Sequence, residues 1–517
     1  SLTALSIMGL LPMPPAKITN GEIFFYSNDK KINLLNSTSK EFEKVRGNEI
    51  SMIFQEPMTS LNPLKKCGEQ VAESIRLHQK ISNKEAMEKT LQWFEEVQLP
   101  NPTLTIEKYP HEISGGQKQR VMIAMALCNY PKLLIADEPT TALDVSVQKT
   151  ILDLLKSLQQ KNKMAMLFIT HDLSLVKEFA DNVMVLHKGK CVEKNDTKSL
   201  FEQPQENYTK GLIFSRPNPN QRVHFLNTID EFLALEKKPQ VFISKNEFEE
   251  KINLIQQQEN IIELKNLNLF YNTNNNFFSK NKNAFHALKD INLIVKKGET
   301  LGLVGESGCG KTTLGKAIIG LEKYSSGEIL FQEKSISSFS KNDWKAYRRK
   351  VQLIFQDPYS SLNPRINIGE AIKETMDVHH LFDKKIREEK VIELLQKVGL
   401  QADFYKRYPH EFSGGQRQRI SIARALALQP EVLICDESVS ALDVSVQAQV
   451  LNLLVSLREE FQLTYLFISH DLGVIKHISD HIAVMQKGEL VEYNDAENLY
   501  SNPKNNYTKA LLENSFL

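Results

Sequence analysis

Residues 305–312 read G-E-S-G-C-G-K-T, a glycine, four free positions, then Gly-Lys-Thr. That spacing suits phosphate. Glycines let successive backbone N–H groups turn toward one point and form an anion nest. Lys311 adds a positive charge for the outer phosphates, and Thr312 offers a hydroxyl to a divalent cation such as Mg²⁺. The flanking residues read as the elements such a loop needs. Residues 300–304 (T-L-G-L-V) are a short apolar run expected to be a buried strand, and residues 314–321 continue as a helix. The N-terminus of that helix favours negative charge. Cys309 lies inside the loop beside Lys311, so the sequence predicts a thiol of lowered pKa.

Further groups with chemistry recur in pairs. Ser114, Gly115, Gly116 and Gln117 return as Ser413, Gly414, Gly415 and Gln416, an offset of 299 residues. Asp137-Glu138, at the end of an apolar run, returns as Asp436-Glu437 at the same offset, as do Asp144 as Asp443 and His171 as His470. A period this long is not a solenoid; it is a duplicated domain. We read residues 1–215 as a first copy, 216–260 as a polar linker without motifs, and 261–517 as a second copy. Residues 1–10 line up with 312–321, so Ser1 stands where Thr312 stands in the second copy. The sequence thus reads as a piece of a longer protein whose first phosphate loop lies upstream.

The elements implied between these groups alternate. Residues 133–136 and 165–169 read as buried strands, 147–160 as an amphipathic helix, and Ser114 and Ser413 as openings of helices. Strand–helix alternation implies a parallel sheet with helices on its faces. Composition narrows the class. Charged residues are 25% and apolar residues 41% of 517, with 64 Lys+Arg against 63 Asp+Glu, so no global charge argues for nucleic acid. The five cysteines are scattered with no C-x-x-C pair, which argues against a disulfide framework, a zinc site or an iron–sulfur site. No apolar run approaches the ~18 residues of a membrane span.

Taken together, the phosphate loop, the S-G-G-Q segments, the strands ending in Asp-Glu, the A-L-D turns and the histidine after the next strand resemble the ATPase domain of ABC proteins, in both copies. The resemblance implies an α/β fold of two P-loop NTPase domains, each a mostly parallel sheet core with an antiparallel β part and a helical subdomain. It implies that Gly305, Glu306, Ser307, Gly308, Cys309, Gly310, Lys311, Thr312 and Thr313 hold ATP, and that Thr312, Gln356 and Asp436 attend Mg²⁺, with Ser1, Gln55 and Asp137 as their counterparts. Glu437 and Glu138 would orient or deprotonate the attacking water, and His470 and His171 would contact the γ-phosphate. Tyr271 is a candidate to stack on adenine and equally a core aromatic. By the same resemblance, each S-G-G-Q segment caps the nucleotide of the other copy, so that ATP is sandwiched between them, and Asp144 and Asp443 lie in turns at that interface.

A narrower resemblance follows the glutamines. Residues 55–63 and 356–365 carry S-L-N-P, and 207–210 and 506–512 carry N-Y-T-K, similar to ATPase subunits of dipeptide, oligopeptide and nickel importers. It implies a peripheral ATPase at the cytoplasmic face of the inner membrane. It would work with two transmembrane permease subunits and, indirectly, an extracytoplasmic solute-binding protein, with no nucleic acid. The alternative is a tandem ABC ATPase of the translation-factor type acting on the ribosome. That would need a long, charged, two-helix linker, and residues 216–260 read as too short and too neutral for one.

Overall fold

The structure, a computed structural model, describes residues 1–27, 30–55, 60–140, 145–219, 221–234, 240–272, 284–357, 361–440 and 442–515. The chain forms two compact units, Ser1–Asp181 and Asn182–Leu517.

In the second unit a six-stranded sheet has the order Val351–Ile354, Val432–Asp436, Thr464–Ile468, Thr300–Val304, His481–Gln486, Glu489–Asp495. Neighbours are parallel except for the last strand, which is antiparallel. Parallel strands covered on both faces read as continuous apolar runs, and V-L-I-C-D and T-Y-L-F-I are buried at every position. Side chains alternate along a strand, so one sheet feeds two cores. Leu433, Cys435, Tyr465, Phe467, Ile482 and Val484 enter one, with the helices Ile368–Val378, Arg387–Lys397, Gly414–Leu426 and Val444–Phe461. Val432, Ile434, Leu466, Ile468, Ala483 and Met485 enter the other. That second core is closed by the helix Lys311–Ile318 and by a four-stranded antiparallel sheet built on Asn260–Asn272 and Ala284–Lys296. The expected parallel core, antiparallel part and helical part are all present.

In the first unit, Ile50–Ile53, Leu133–Asp137 and Ala165–Ile169 form a three-stranded parallel sheet. The helices Cys67–His78, Asn83–Glu96 and Gly115–Leu127 pack beside it through Val71, Phe94 and Val121. A short strand runs over Phe24–Ser27, after a left-handed Gly21 (φ 116°). The hairpin Asn182–His187 and Lys190–Asp196 corresponds to the two last strands of the six-stranded sheet, but it is a separate two-stranded sheet within the second unit. In the second copy Thr300–Val304 joins Thr464–Ile468 to His481–Gln486. No described strand of the first copy fills that place, so the counterparts of the large sheet's strands divide between two sheets, and the division at Asp181 precedes the 215 read from the sequence.

Residues 216–260 are not an open tether. They contain the helices Ile229–Leu233 and Lys245–Gln256, and Val223, Leu226, Phe248 and Ile252 belong to the same core as the large sheet. The side chain of Asn452 pairs with the backbone of Leu226, accepting its N–H at 2.8 Å and donating to its carbonyl at 2.8 Å. The polar composition hid this; the signal was the helical spacing of Phe248, Ile252 and Ile255, all buried. Electrostatics add to the docking. Asp480 is fully buried and receives Lys251 at 2.8 Å, Arg458 at 2.6 Å and the Thr300 N–H at 2.8 Å. Arg222 lies beside them and donates to the Ser479 carbonyl.

Burial opposes the charge on Asp480, yet Arg458 and Lys251 outweigh it and hold the carboxyl far below the usual carboxylate range. A depressed carboxylate pKa contributes stability that is complete above the unfolded value, about 3.9, and is lost as pH falls through the folded one. Asp480→Asn removes that counter-charge from Arg458 and from Lys251, which keeps 45% of its side chain in water. We expect it to destabilise the second unit by about 3 kcal/mol at pH 7 in urea unfolding, with the gap from wild type closing below about pH 4.

Candidate functional site

The strand Thr300–Val304 delivers the chain to Gly305, and the helix Lys311–Ile318 takes it up after Gly310. Gly305, Gly308 and Gly310 have φ of 150°, 73° and 111°. A Cβ at Gly305 would stand 2.2 Å from the Met485 carbonyl oxygen, and one at Gly310 2.8 Å from that of Ala287. Conformation and space therefore both demand glycine at these two positions. The first N–H groups of the helix have no intrahelical acceptor, and they open on the loop. Lys311 is buried, and its Nζ donates to the carbonyls of Gly305 (2.6 Å) and Glu306 (2.9 Å), so its charge is held within the curve of the loop. Cys309 is buried as well. Burial pushes its thiol up, and Lys311 offsets this only in part. The expected low-pKa thiol is overturned because desolvation exceeds the neighbouring charge. Tyr271 lies partly buried against the core beneath the antiparallel sheet.

Asp436 ends its strand beside the loop, and the Thr312 hydroxyl donates to its Oδ1 at 3.0 Å. Asp436 is 4% exposed; burial raises its carboxyl pKa, and the Thr312 hydrogen bond pulls the other way. In the first copy Ser1 lies beside Asp137. Glu437 and Glu138 follow with φ of 45° and 49°, left-handed turns that any residue other than glycine enters at a cost. Their N–H groups donate to Ile468 (2.9 Å) and Ile169 (2.8 Å), which holds the turns in place.

Each turn aims its carboxylate at the same two partners. Gln356 Nε2 donates to Glu437 Oε2 at 2.8 Å, and His470 Nδ1 lies 3.4 Å from that oxygen. Gln55 Nε2 donates to Glu138 Oε2 at 2.7 Å, and His171 Nδ1 lies 3.2 Å from Glu138 Oε1. Three residues separated by up to 116 positions thus converge twice. Burial works against the charge on Glu437, but the hydrogen bond and charge of His470, with Lys311, bring its pKa below the ordinary value. Burial likewise works against His470, and Glu437 brings its pKa above the ordinary value. Such a pair can hold an anionic carboxylate ready to accept a proton.

Ser114 and Ser413 cap the helices Gly115–Leu127 and Gly414–Leu426. Their hydroxyls accept the N–H of Gln117 and Gln416 at 3.4 Å, and those glutamines accept the serine N–H at 3.0 and 3.1 Å. The second glycine of each segment is a packing requirement: a Cβ at Gly116 would stand 2.8 Å from Val147 Cγ1, and one at Gly415 2.1 Å from Val446 Cγ1. Gly414, by contrast, faces space with nothing within 4 Å. Asp443 precedes the helix Val444–Phe461, and its charge reaches Tyr208, whose ring stacks on His187 at 4.0 Å. Asp144 lies outside the described residues, as do 56–59 and 358–360 of the S-L-N-P segments; Leu61 and Leu362, which follow, are buried.

One contact has no counterpart in the sequence reading. The Tyr507 hydroxyl, from the helix Asn506–Ser515, accepts the N–H of Glu306 at 3.0 Å. The N-Y-T-K repeat marked the segment, but nothing in its spacing tied it to a loop some 200 residues away.

The two glycines of a signature segment separate by substitution. Gly415→Ala should lower stability by about 1–3 kcal/mol through overpacking against Val446, and Val446→Ala should recover most of that loss. Gly414→Ala should leave the melting transition within about 1 kcal/mol of wild type. Thermal unfolding of the full chain checks all three.

Comparison with known proteins fits this geometry. The model of the family described as ABC transporter matches residues 3–141 and 288–440, and that of the oligopeptide/dipeptide transporter C-terminal region matches 192–240 and 491–516. The chain is 43% identical over 514 residues to the glutathione import ATP-binding protein GsiA of Salmonella choleraesuis, a match covering 99% of this chain and 82% of that protein. It is 41% identical over 520 residues to the protein of the same name from Pectobacterium atrosepticum, with the same coverage. Among solved structures, cbiO1 from Clostridium perfringens is 28% identical, covering 47% of this chain and 92% of its own, with a TM-score of 0.42. The duplicated match, one stretch in each copy, leads to a plain conclusion: the chain belongs to the ABC transporter family and is an ATP-binding, ATP-hydrolysing member of it.

Proposed function

We propose that this chain is the energy-coupling ATPase of an importer of short peptides and peptide-like solutes, glutathione among them. The observation that carries the chemistry is the convergence of Lys311, Thr312, Asp436, Glu437, Gln356 and His470 on one loop. The solute class rests on the names of the relatives and on the matched C-terminal regions. In this reading the N–H groups that follow Glu306 in the loop 305–313 receive the phosphates of ATP, and Lys311 exchanges the carbonyls of Gly305 and Glu306 for the outer phosphate oxygens. Water attacks the γ-phosphorus in line, its proton passes to the Glu437 carboxylate, and the bond from the γ-phosphorus to the bridging oxygen breaks. His470 and Gln356 hold Glu437 until then.

The Thr312 hydroxyl and the buried Asp436 carboxylate are an oxygen pair of the kind Mg²⁺ takes, and the raised pKa of Asp436 marks a carboxylate short of positive charge. Bound there, Mg²⁺ would neutralise developing charge on the phosphates. Ser1, Gln55, Asp137, Glu138 and His171 are the corresponding groups of the first copy. Ser114, Gly115, Gly116, Gln117 and Asp144 would cap the nucleotide of the second copy, and Ser413, Gly414, Gly415, Gln416 and Asp443 that of the first. The partners would be two permease subunits, reached from the cytoplasmic face of the inner membrane, with a solute-binding protein beyond them. Among the described residues no helix is long and apolar enough to cross a membrane.

Lys311→Ala should weaken MgATP binding by roughly tenfold to a hundredfold. Glu437→Gln should keep binding and lose turnover by more than about a hundredfold. Equilibrium dialysis and phosphate release on the full chain measure the two effects. Wild-type turnover in Glu437→Gln would remove Glu437 from the role of base. ATP-driven glutathione uptake by vesicles carrying the chain with its permeases tests the solute class.

A further inference from the structure

We propose that the C-terminal helix Asn506–Ser515 is a positioning element for the phosphate loop of its own copy, and that Tyr507 is the residue through which it acts. The inference rests on the reading of residues 305–313 as the ATP-binding loop and assigns that loop a control outside the known motifs. The loop is gripped from two sides. On one side the turn of the hairpin His481–Gln486 and Glu489–Asp495 supplies the Gly488 N–H to the Cys309 carbonyl at 3.0 Å. The Met485 carbonyl leaves no room for a side chain at Gly305. On the other side the Tyr507 hydroxyl takes the Glu306 N–H at 3.0 Å.

The tail that carries this hydroxyl is itself fixed. Glu492 accepts the N–H groups of Lys504 (2.8 Å) and Asn505 (3.0 Å), and Asn505 Oδ1 accepts the Tyr507 N–H at 2.8 Å. Thr508 and Leu512 are buried, and the Tyr507 ring packs partly buried against the core. The anchor recurs in the first copy, where Glu193 accepts the N–H groups of Gln205 (2.9 Å) and Glu206 (3.1 Å) just before Tyr208. The tail is therefore tied down on both sides of Tyr507, and from it the phenol reaches the loop. A loop with three glycines at positive φ has many shapes open to it. Satisfying the Glu306 N–H from outside restricts those shapes and leaves the N–H groups further along to face the ligand.

The test uses the full chain with Tyr507→Phe, which keeps the ring and removes only the acceptor. The dissociation constant for MgATP should rise about three- to tenfold. The number of sites, kcat at saturating ATP and the melting temperature should stay unchanged, and hydrogen exchange at the Glu306 amide should quicken. Asn505→Ala, which loosens the start of the helix and keeps the phenol, should shift affinity in the same direction by less. Unchanged affinity and unchanged exchange at Glu306 in Tyr507→Phe would overturn the proposal. So would a fall in melting temperature and site number with the remaining sites binding normally, since that is the signature of packing alone. Failure of the wild-type chain to bind MgATP, or full binding by Lys311→Ala, would instead overturn the reading of the loop and the proposal with it.

Discussion

A carboxylate at the end of a buried apolar strand is expensive to hold, and much of the second unit follows from meeting that cost. Asp436 and Glu437 sit where the sheet stops and the loop region begins. Isolated, either charge would be driven to its neutral form. The Thr312 hydroxyl comes to Asp436 from the first turn of a helix, and His470 and Gln356 come to Glu437 from the ends of two other strands. Lys311 contributes from inside the loop. The parallel order of the strands is what makes this possible, because it brings the C-terminal ends of Val351–Ile354, Val432–Asp436, Thr464–Ile468 and Thr300–Val304 to one edge.

The two copies act as each other's control. Glu138 and Glu437 share a left-handed turn, a glutamine donor and a histidine neighbour, although the units differ in how many strands surround them. The trio therefore depends on local elements: a strand end, the turn after it and the strand end beside it. The same holds for the Ser–Gln capping boxes and for the Glu193 and Glu492 anchors, each built from residues close in sequence or paired across one hairpin.

What could be read in the sequence follows this division. The loop, the carboxylate pairs, the histidines and the signature serines were legible because their chemistry dictates residue type and spacing. The alternation of buried strands was legible because both faces are covered. Tyr507 was not, because a single hydrogen bond between distant segments leaves no periodicity. The thiol of Cys309 was misjudged because charge and helix position can be read from a sequence, and burial cannot. Residues 216–260 were misjudged because a polar composition outweighed three apolar positions at helical spacing, and because Lys251 and Arg222 look like solvent-facing cations until Asp480 is placed beside them.

That last feature bears on how the protein can be taken apart. The motifs invite a cut at residue 261, where the second copy begins by homology. Such a cut would strip Lys251 from Asp480 and Phe248 and Ile252 from the core they complete. It would leave Asn452 without the backbone of Leu226. The piece so made would have every residue of the nucleotide chemistry and a wound on its flank. A form of the second copy that keeps these contacts begins upstream of Arg222, and part of what joins the two copies in sequence is, physically, the wall of one of them.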